Sequence, residues 1–209
     1  MPLTLKLAVH IMKNRMQERT IKGVECMSEK RMVAKQAPRF EMNAVMPDTS
    51  FGTVSLEQLM KEDKWTVLFF YPMDFTHICP TEITTMSDHY EEFEELDTEI
   101  IGVSTDTIHS HKAWINMARE NNGLEQLKFP LAADTNHRVS RDYGVLIEEE
   151  GVALRGLYII NPYGELQYSM VHHNDVGRDV DEVLRVLQAL QMGGMCPANW
   201  KPGQDTLNP

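Results

Sequence analysis

No stretch of this 209-residue chain approaches the ~18–20 consecutive apolar residues that a membrane-spanning helix needs, which excludes a helical membrane protein. Cysteine is scarce. Three cysteines, an odd number, do not make a secreted disulfide scaffold, and they point to a reducing, cytoplasmic setting in which cysteine chemistry is catalytic. No Cys-x-x-Cys pair is present, which counts against a disulfide reductase of the dithiol type, and no His-Glu-x-x-His is present. His109 and His111 alternate on a helical stretch and do not face each other. His172 and His173 are adjacent on a strand and point to opposite faces. No metal is expected, and without a Gly-rich phosphate loop no nucleotide or other cofactor is expected. Basic residues are in deficit, 20 Lys and Arg against 31 Asp and Glu for a net charge of −11. That balance argues against non-specific binding to nucleic acid or to anionic membranes.

What remains is a chain with 42% hydrophobic and 24% charged residues, enough apolar material for one solid core. The charge is uneven. Residues 1–26 carry Lys6, Lys13, Arg15, Arg19 and Lys22 against Glu18 and Glu25, a balance of +3, so residues 27–209 carry −14. This opening has some basic, amphipathic character but no secretory signal. It reads as an extension outside the domain, with the working protein starting at Met27. Lys22-Gly23-Val24 can be encoded as AAA-GGA-GTN, which contains the ribosome-binding sequence AGGAG. Cys26, within the extension, is given no role. The expected organisation is an extension over 1–26, one domain over 32–191 and a tail over 192–209.

Trp65 to Tyr71 is a continuous apolar run, the mark of a strand buried on both faces. A turn-like segment, Pro72 to Ile78, precedes an expected helix from Pro80 to about Leu96, with Ile83, Met86, Tyr90, Phe93 and Leu96 on one face. The acidic run Glu91-Glu92-Phe93-Glu94-Glu95 is its solvated side. Glu99 to Ser104 reads as a second buried strand and His109 to Asn121 as a helix ended by Gly123. Leu127 to Ala133 and Gly156 to Ile160 read as further strands. Asn161-Pro162-Tyr163-Gly164 has the composition of a turn, pairing Gly156–Ile160 with Glu165–His172. A last helix over Asp179 to Gln191 ends at Gly193-Gly194. Alternating strands and helices with a closing hairpin imply an α/β fold around a central mixed sheet.

Cys79 follows a buried strand and a short loop, and a proline suited to a helix's first turn comes next. Free N–H groups and the dipole at a helix N-terminus favour negative charge, and the thiolate is the reactive form of cysteine. Taken alone, a structural buried cysteine fits the spacing as well. The wider segment decides between them: Phe69 to Ile83, FFYPMDFTHICPTEI, containing P-x-x-x-T-x-x-C, resembles the active-site segment of peroxiredoxins of the two-cysteine type. The subgroup it resembles includes the alkyl hydroperoxide reductase peroxidase subunit and the thioredoxin peroxidases. HKAWIN (111–116), PLAAD (130–134), SRDYGV (140–145), LRGLYII (154–160), VGRDVDEVL (176–184) and CPANWKPG (196–203) resemble the same family in the same order.

The resemblance implies a thioredoxin-like fold with the family's C-terminal tail, and it implies roles. Cys79 would be the peroxidatic cysteine, with Thr76 offering its hydroxyl to thiolate and peroxide and Pro72 shielding the pocket. Arg155 would stabilise the thiolate and bind a peroxide oxygen, with Glu82 and Arg178 orienting it. Cys196 would be the resolving cysteine. The implied activity is reduction of hydrogen peroxide and organic hydroperoxides, in antioxidant defence and redox homeostasis. The implied partners are peroxide substrates, thioredoxin or a dedicated disulfide reductase, and further copies of the chain in a homodimer or a ring decamer. A redox-relay or holdase role of the oligomer is the alternative. His77-Ile78 stands where Phe-Val is usual in the family. Only Met192, Gly193 and Gly194 separate Gln191 from Met195-Cys196, which leaves open whether Cys196 pairs within or between subunits. The chain ends 13 residues after Cys196, short of the C-terminal helix of peroxide-sensitive relatives, so resistance to overoxidation is expected.

Overall fold

The run Trp65 to Tyr71 supplies an inner strand of the main sheet. In the computed structural model, which describes residues 31–207, the strands are β1 (Lys35–Gln36), β2 (Glu41–Val45), β3 (Phe51–Ser55), β4 (Trp65–Phe70), β5 (Thr98–Ser104), β6 (Leu131–Ala133), β7 (Leu146–Ile147), β8 (Val152–Ala153), β9 (Arg155–Ile160) and β10 (Glu165–His172). The helices are α1 (Leu56–Lys61), α2 (Cys79–Asp88), α3 (Tyr90–Glu94), α4 (Ile108–Ile115), α5 (Arg138–Asp142) and α6 (Val180–Met192). All of them fall in the unit Val33–Pro209. The expectations for residues 1–26, for a start at Met27 and for Cys26 concern residues outside the described range.

Eight strands form one mixed sheet in the order β1-β10-β9-β4-β5-β6-β2-β3, and β7 and β8 form a separate ribbon. The β4–β5 and β5–β6 pairs are parallel; β9 runs antiparallel to β4. Side chains alternate across β4. Val67, Phe69 and Tyr71 enter one core with Ile83, Met86, Trp114, Leu184 and Leu187. Phe70 points the other way, with its ring 5.5 Å from that of Tyr143 and 5.8 Å from that of Tyr158. Gly102 on β5 is required by this packing: a Cβ there would lie 2.7 Å from Leu131 and 2.8 Å from Phe69. No helix among the described residues is long and apolar enough to cross a membrane.

Three expected elements differ. The helix from Pro80 to Leu96 is two helices that meet at His89. The Thr84 and Thr85 hydroxyls donate back to the carbonyls of Pro80 and Thr81, each at 2.7 Å, an arrangement that bends helices. The helix expected from His109 to Asn121 stops at Ile115, and a 3-10 turn, Arg119–Asn121, follows. Trp114 Nε1 donates to the Asn122 carbonyl at 2.7 Å, which folds the chain back. Gly123 therefore does not cap a helix; it passes so near Met117 that a Cβ would lie 2.1 Å from that carbonyl oxygen. The strand over Leu127–Ala133 is confined to Leu131–Ala133. Pro130 has no N–H to give a ladder, while Leu127 and Phe129 still enter the core.

The other elements match their expectations closely. Gly164 (φ +78°) closes the turn from Asn161, whose Oδ1 accepts from the N–H groups of Tyr163 and Glu165. Asp179 caps α6 by accepting from Glu182 N at 3.1 Å, and Gly193 (φ +71°) ends it. The register then aligns two distant segments. Phe69 pairs with Leu157, so Arg155, two residues earlier on β9, lies level with the end of β4, where the chain leaves for Cys79.

Glu99 on β5 lines a cavity of about 290 Å³ with Leu59, Ile101 and Tyr90. Burial pushes its carboxyl up to about 7, against the weaker opposing pull of the Tyr90 hydroxyl and Lys64. The folded state therefore holds a proton there that the unfolded state, near 4.5, releases. Stability associated with Glu99 is fully present below about 4.5 and is lost as pH rises to about 7. Glu99→Gln should therefore gain on the parent between pH 5 and pH 8, by on the order of 1–3 kcal/mol. Urea unfolding at the two pH values checks this; an equal effect at both would contradict it.

Candidate active site

Cys79 is the first residue of α2 and Pro80 follows it within the first turn, where a missing N–H costs nothing. The helix has no side-chain N-cap, so the positive end of its dipole is not answered by a capping oxygen. Cys79 is fully buried (0% exposed). Arg155 Nη1 donates to its Sγ at 3.3 Å.

Arg155 is held in turn. Its Nη1 also donates to Glu82 Oε2 at 2.5 Å, and its Nε donates to the Asn174 carbonyl at 2.9 Å. Nη2 has no partner among the described residues. Glu82 lies one turn along α2 from Cys79 and also accepts from Arg178: from its backbone N and its Nε to Oε1, both at 2.8 Å, and from Nη2 to Oε2 at 3.1 Å. Arg178 Nη1 reaches the Phe70 carbonyl at 2.9 Å and the Gly156 carbonyl at 2.7 Å. One guanidinium thus fastens α2 to the ends of β4 and β9. Burial pulls the Arg178 guanidinium below its ordinary range and Glu82 opposes that pull, so it stays charged.

Arg155 (3% exposed), Glu82 (5%) and Arg178 (8%) form a buried cluster. Two cations face one anion, which leaves one unbalanced positive charge beside Sγ. A buried unpaired charge is costly, and negative charge on the sulfur balances it.

The loop Pro72–Ile78 is fixed by a second buried network. Asp74 accepts from the Tyr71 hydroxyl at 2.9 Å and from Ser110 Oγ at 2.7 Å, and it pairs with His111 Nδ1 at 2.9 Å. His111 Nε2 lies 3.2 Å from the Ala132 carbonyl, and the Asp74 N–H donates to Asp106 at 2.9 Å. Burial and the Asp74 charge push the Tyr71 phenol well above its ordinary value, so it serves as a donor. These anchors hold Phe75 in a left-handed conformation (φ +57°), with its ring 5.8 Å from Trp114. That backbone is rare for a bulky residue and needs such support.

The residues singled out from sequence are not all brought together. Cys79, Arg155, Glu82 and Arg178 form one bonded set. The Thr76 hydroxyl donates to the Met73 carbonyl at 3.0 Å, within its own loop. Pro72 is half-buried where β4 ends. Cys196 lies on the tail with its Sγ 3.8 Å from the Ala189 carbonyl, and neither it nor Cys79 is in a disulfide. Asp74, Ser110 and His111 were missed as support for the loop. Asp74 and His111 lie inside the quoted motifs, but nothing local in the sequence says that positions 37 apart meet. His111 is a buried loop anchor, and His173 pairs with Asp175 at the surface.

Known proteins match the chain along most of its length. The AhpC/TSA family profile matches residues 33–169. A putative peroxiredoxin of Bacillus subtilis, YkuU, is 77% identical over 85% of this chain and 98% of its own. The reduced 2-Cys peroxiredoxin of Plasmodium vivax superposes with a TM-score of 0.83 at 37% identity, covering 86% of this chain and 94% of that one. Plasmodium yoelii thioredoxin peroxidase I superposes at 0.72 with 38% identity, covering 82% and 99%. The chain belongs to the AhpC/TSA family of peroxiredoxins. It has their thioredoxin-like fold and is a peroxidase.

Glu82 holds two buried guanidiniums, so its removal leaves both without a counter-charge. Glu82→Ala should destabilise the protein by about 3–5 kcal/mol, read as a fall in the urea midpoint at constant slope. A loss below about 1 kcal/mol, the size of an exposed pair, would show that solvent screens the cluster.

Proposed function

We propose that Cys79 is the peroxidatic cysteine of a two-cysteine cycle acting on hydrogen peroxide and small organic hydroperoxides. The carrying observation is Arg155 Nη1 at 3.3 Å from Cys79 Sγ within a buried cluster that is one negative charge short. The thiolate attacks the terminal peroxide oxygen, the S–O bond forms and the O–O bond breaks. The electron pair leaves on the second oxygen, which takes a proton to become water or an alcohol. Cys79 becomes a sulfenic acid. Arg155 serves twice: Nη1 faces the sulfur, and Nη2 is available to the oxygen on which charge develops. Thr76 and Pro72, on the loop anchored through Asp74, wall the approach.

Cys196 then attacks the sulfenic sulfur, a Cys79–Cys196 disulfide forms and hydroxide leaves as water. A thioredoxin-type reductant restores both thiols by exchange, in a reducing cytoplasmic compartment. The Plasmodium yoelii relative's name, thioredoxin peroxidase, supports that choice of reductant. Two features favour action between copies of the chain, in an antiparallel dimer gathered into a ring. Among the described residues, β1 covers β10 only at Glu165 and Leu166, so Tyr168–His172 presents an open strand edge. Phe51, Met73 and Phe75 are about half exposed, the last two on the catalytic loop.

Stopped-flow peroxide reduction tests the assignment. Cys79→Ser should abolish turnover, and Arg155→Ala should slow oxidation of Cys79 by at least ~10²-fold, roughly 2.7 kcal/mol of barrier. An Arg155→Ala protein oxidised at the parent rate would refute the role given to Arg155. After one equivalent of peroxide, non-reducing mass mapping should find Cys79 linked to Cys196 across two chains. A bond within one chain would reject the dimeric reading.

A further inference from the structure

β6 pairs with β5 only at Gly102–Ser104, so among the described residues the earlier half of β5 has no strand beside it on that side. The cavity that Glu99 lines lies against this earlier half. Its volume of about 290 Å³ is at the lower end of the range for small-ligand sites, roughly 300–1,000 Å³. Its walls are apolar at Val54, Leu59, Ile101 and Pro130. The Tyr90 hydroxyl donates to Glu99 Oε2 at 3.4 Å, and Oε1 has no hydrogen-bond partner among the described residues. The charges nearby do not supply one. Glu62 also lines the cavity, and Glu62 and Glu94 both add negative field at Glu99. Lys128, the basic residue of the lining, is paired with Glu91. Lys64 pulls the Glu99 carboxyl the other way but is paired with Asp97 at 3.5 Å. The cavity is built apart from the peroxidatic cysteine. Glu99 pairs in register with Thr66, near the start of β4, whereas the chain leaves for Cys79 from the other end of that strand.

We propose that this cavity binds a small organic ammonium: an amine on a compact apolar body, with its N–H groups on Glu99 Oε1 and its carbon frame against Val54, Leu59 and Ile101. A carboxylate taken out of water without a partner is costly. An ammonium supplies the missing charge and the missing donor together, in a charge-assisted hydrogen bond. An anion would meet two carboxylates, and an alcohol would bring a donor without the charge. The proton balance follows from the empty state, in which burial holds the Glu99 carboxyl up at about 7. Tyr90 stays a neutral donor, because burial pushes its phenol up to about 12. The ammonium favours the carboxylate over the acid, so binding sends the Glu99 proton to solvent: about nine-tenths of a proton at pH 6 and about a tenth at pH 8. Affinity therefore rises about tenfold from pH 6 to pH 8.

The test uses the full chain and three probes of similar shape: benzylamine, benzyl alcohol and benzoate. Titration calorimetry at pH 6 and at pH 8, in buffers of different ionisation heat, gives both the affinity and the protons released. Benzylamine should bind with a dissociation constant of about a millimolar, as expected of so small a ligand, and about tenfold more tightly at pH 8 than at pH 6. Benzyl alcohol should bind at least ~5-fold more weakly than benzylamine at pH 8, and benzoate should not bind. Glu99→Gln should weaken benzylamine at least ~10-fold at pH 8 and abolish its proton release. The same variant should reduce peroxide at the parent rate, which shows that it is folded. Three results would each overturn the proposal: no binding of benzylamine to the parent chain, benzylamine binding that survives Glu99→Gln, or benzyl alcohol matching benzylamine at pH 8.

Discussion

The two oxygens of Glu82 accept from both Arg155 and Arg178, and the site depends on that shared carboxylate. Each cation alone in this interior would be too costly to bury. Together with one carboxylate they are tolerable but leave one positive charge over, and the geometry delivers it to Cys79. Glu82 does this from α2, the helix whose first residue is Cys79, so sulfur and carboxylate move as one rigid piece. Arg178 extends the fastening to the carbonyls of Phe70 and Gly156, which belong to the two central strands. A shift of α2 relative to the sheet would break several charge-assisted hydrogen bonds at once.

The fold supplies what the cluster needs. Parallel pairing of β4 with β5 sends the chain out at the carboxyl end of β4, where open α/β sheets place their sites. Antiparallel pairing of β9 brings Arg155 to that same end through the Phe69–Leu157 register. The loop between β4 and α2 is secured from beneath by Asp74, bound to Tyr71, Ser110 and His111. Protein groups on that side of the sheet thus fix the loop's backbone, including the left-handed Phe75, before any substrate arrives. That preorganisation is what electrostatic catalysis requires.

Much of this was legible in the residues. The apolar runs at 65–71 and 99–104, the Asn161–Gly164 turn and the cap and stop of α6 each follow from local chemistry, and each is found where that chemistry puts it. The motif around Cys79 pointed to its partners through family resemblance. What was not legible is instructive. The two-residue strand β1 is held by pairing with β10, distant in the chain. Gly123 looked like a helix stop because glycine often is one; its actual task, close passage by the Met117 carbonyl, depends on a fold-back driven by Trp114. The anchoring of Asp74 by His111 joins residues that no local pattern links.

The central claim is that Glu82 acts on Cys79 through Arg155. A double-mutant cycle on the rate of Cys79 oxidation, measured in single turnover with excess hydrogen peroxide, tests it most directly. The account predicts that Glu82→Gln alone slows oxidation by at least ~10-fold, about 1.4 kcal/mol, and that the same change made in Arg155→Ala costs almost nothing further. Losses that multiply, with the two substitutions acting independently, would contradict it.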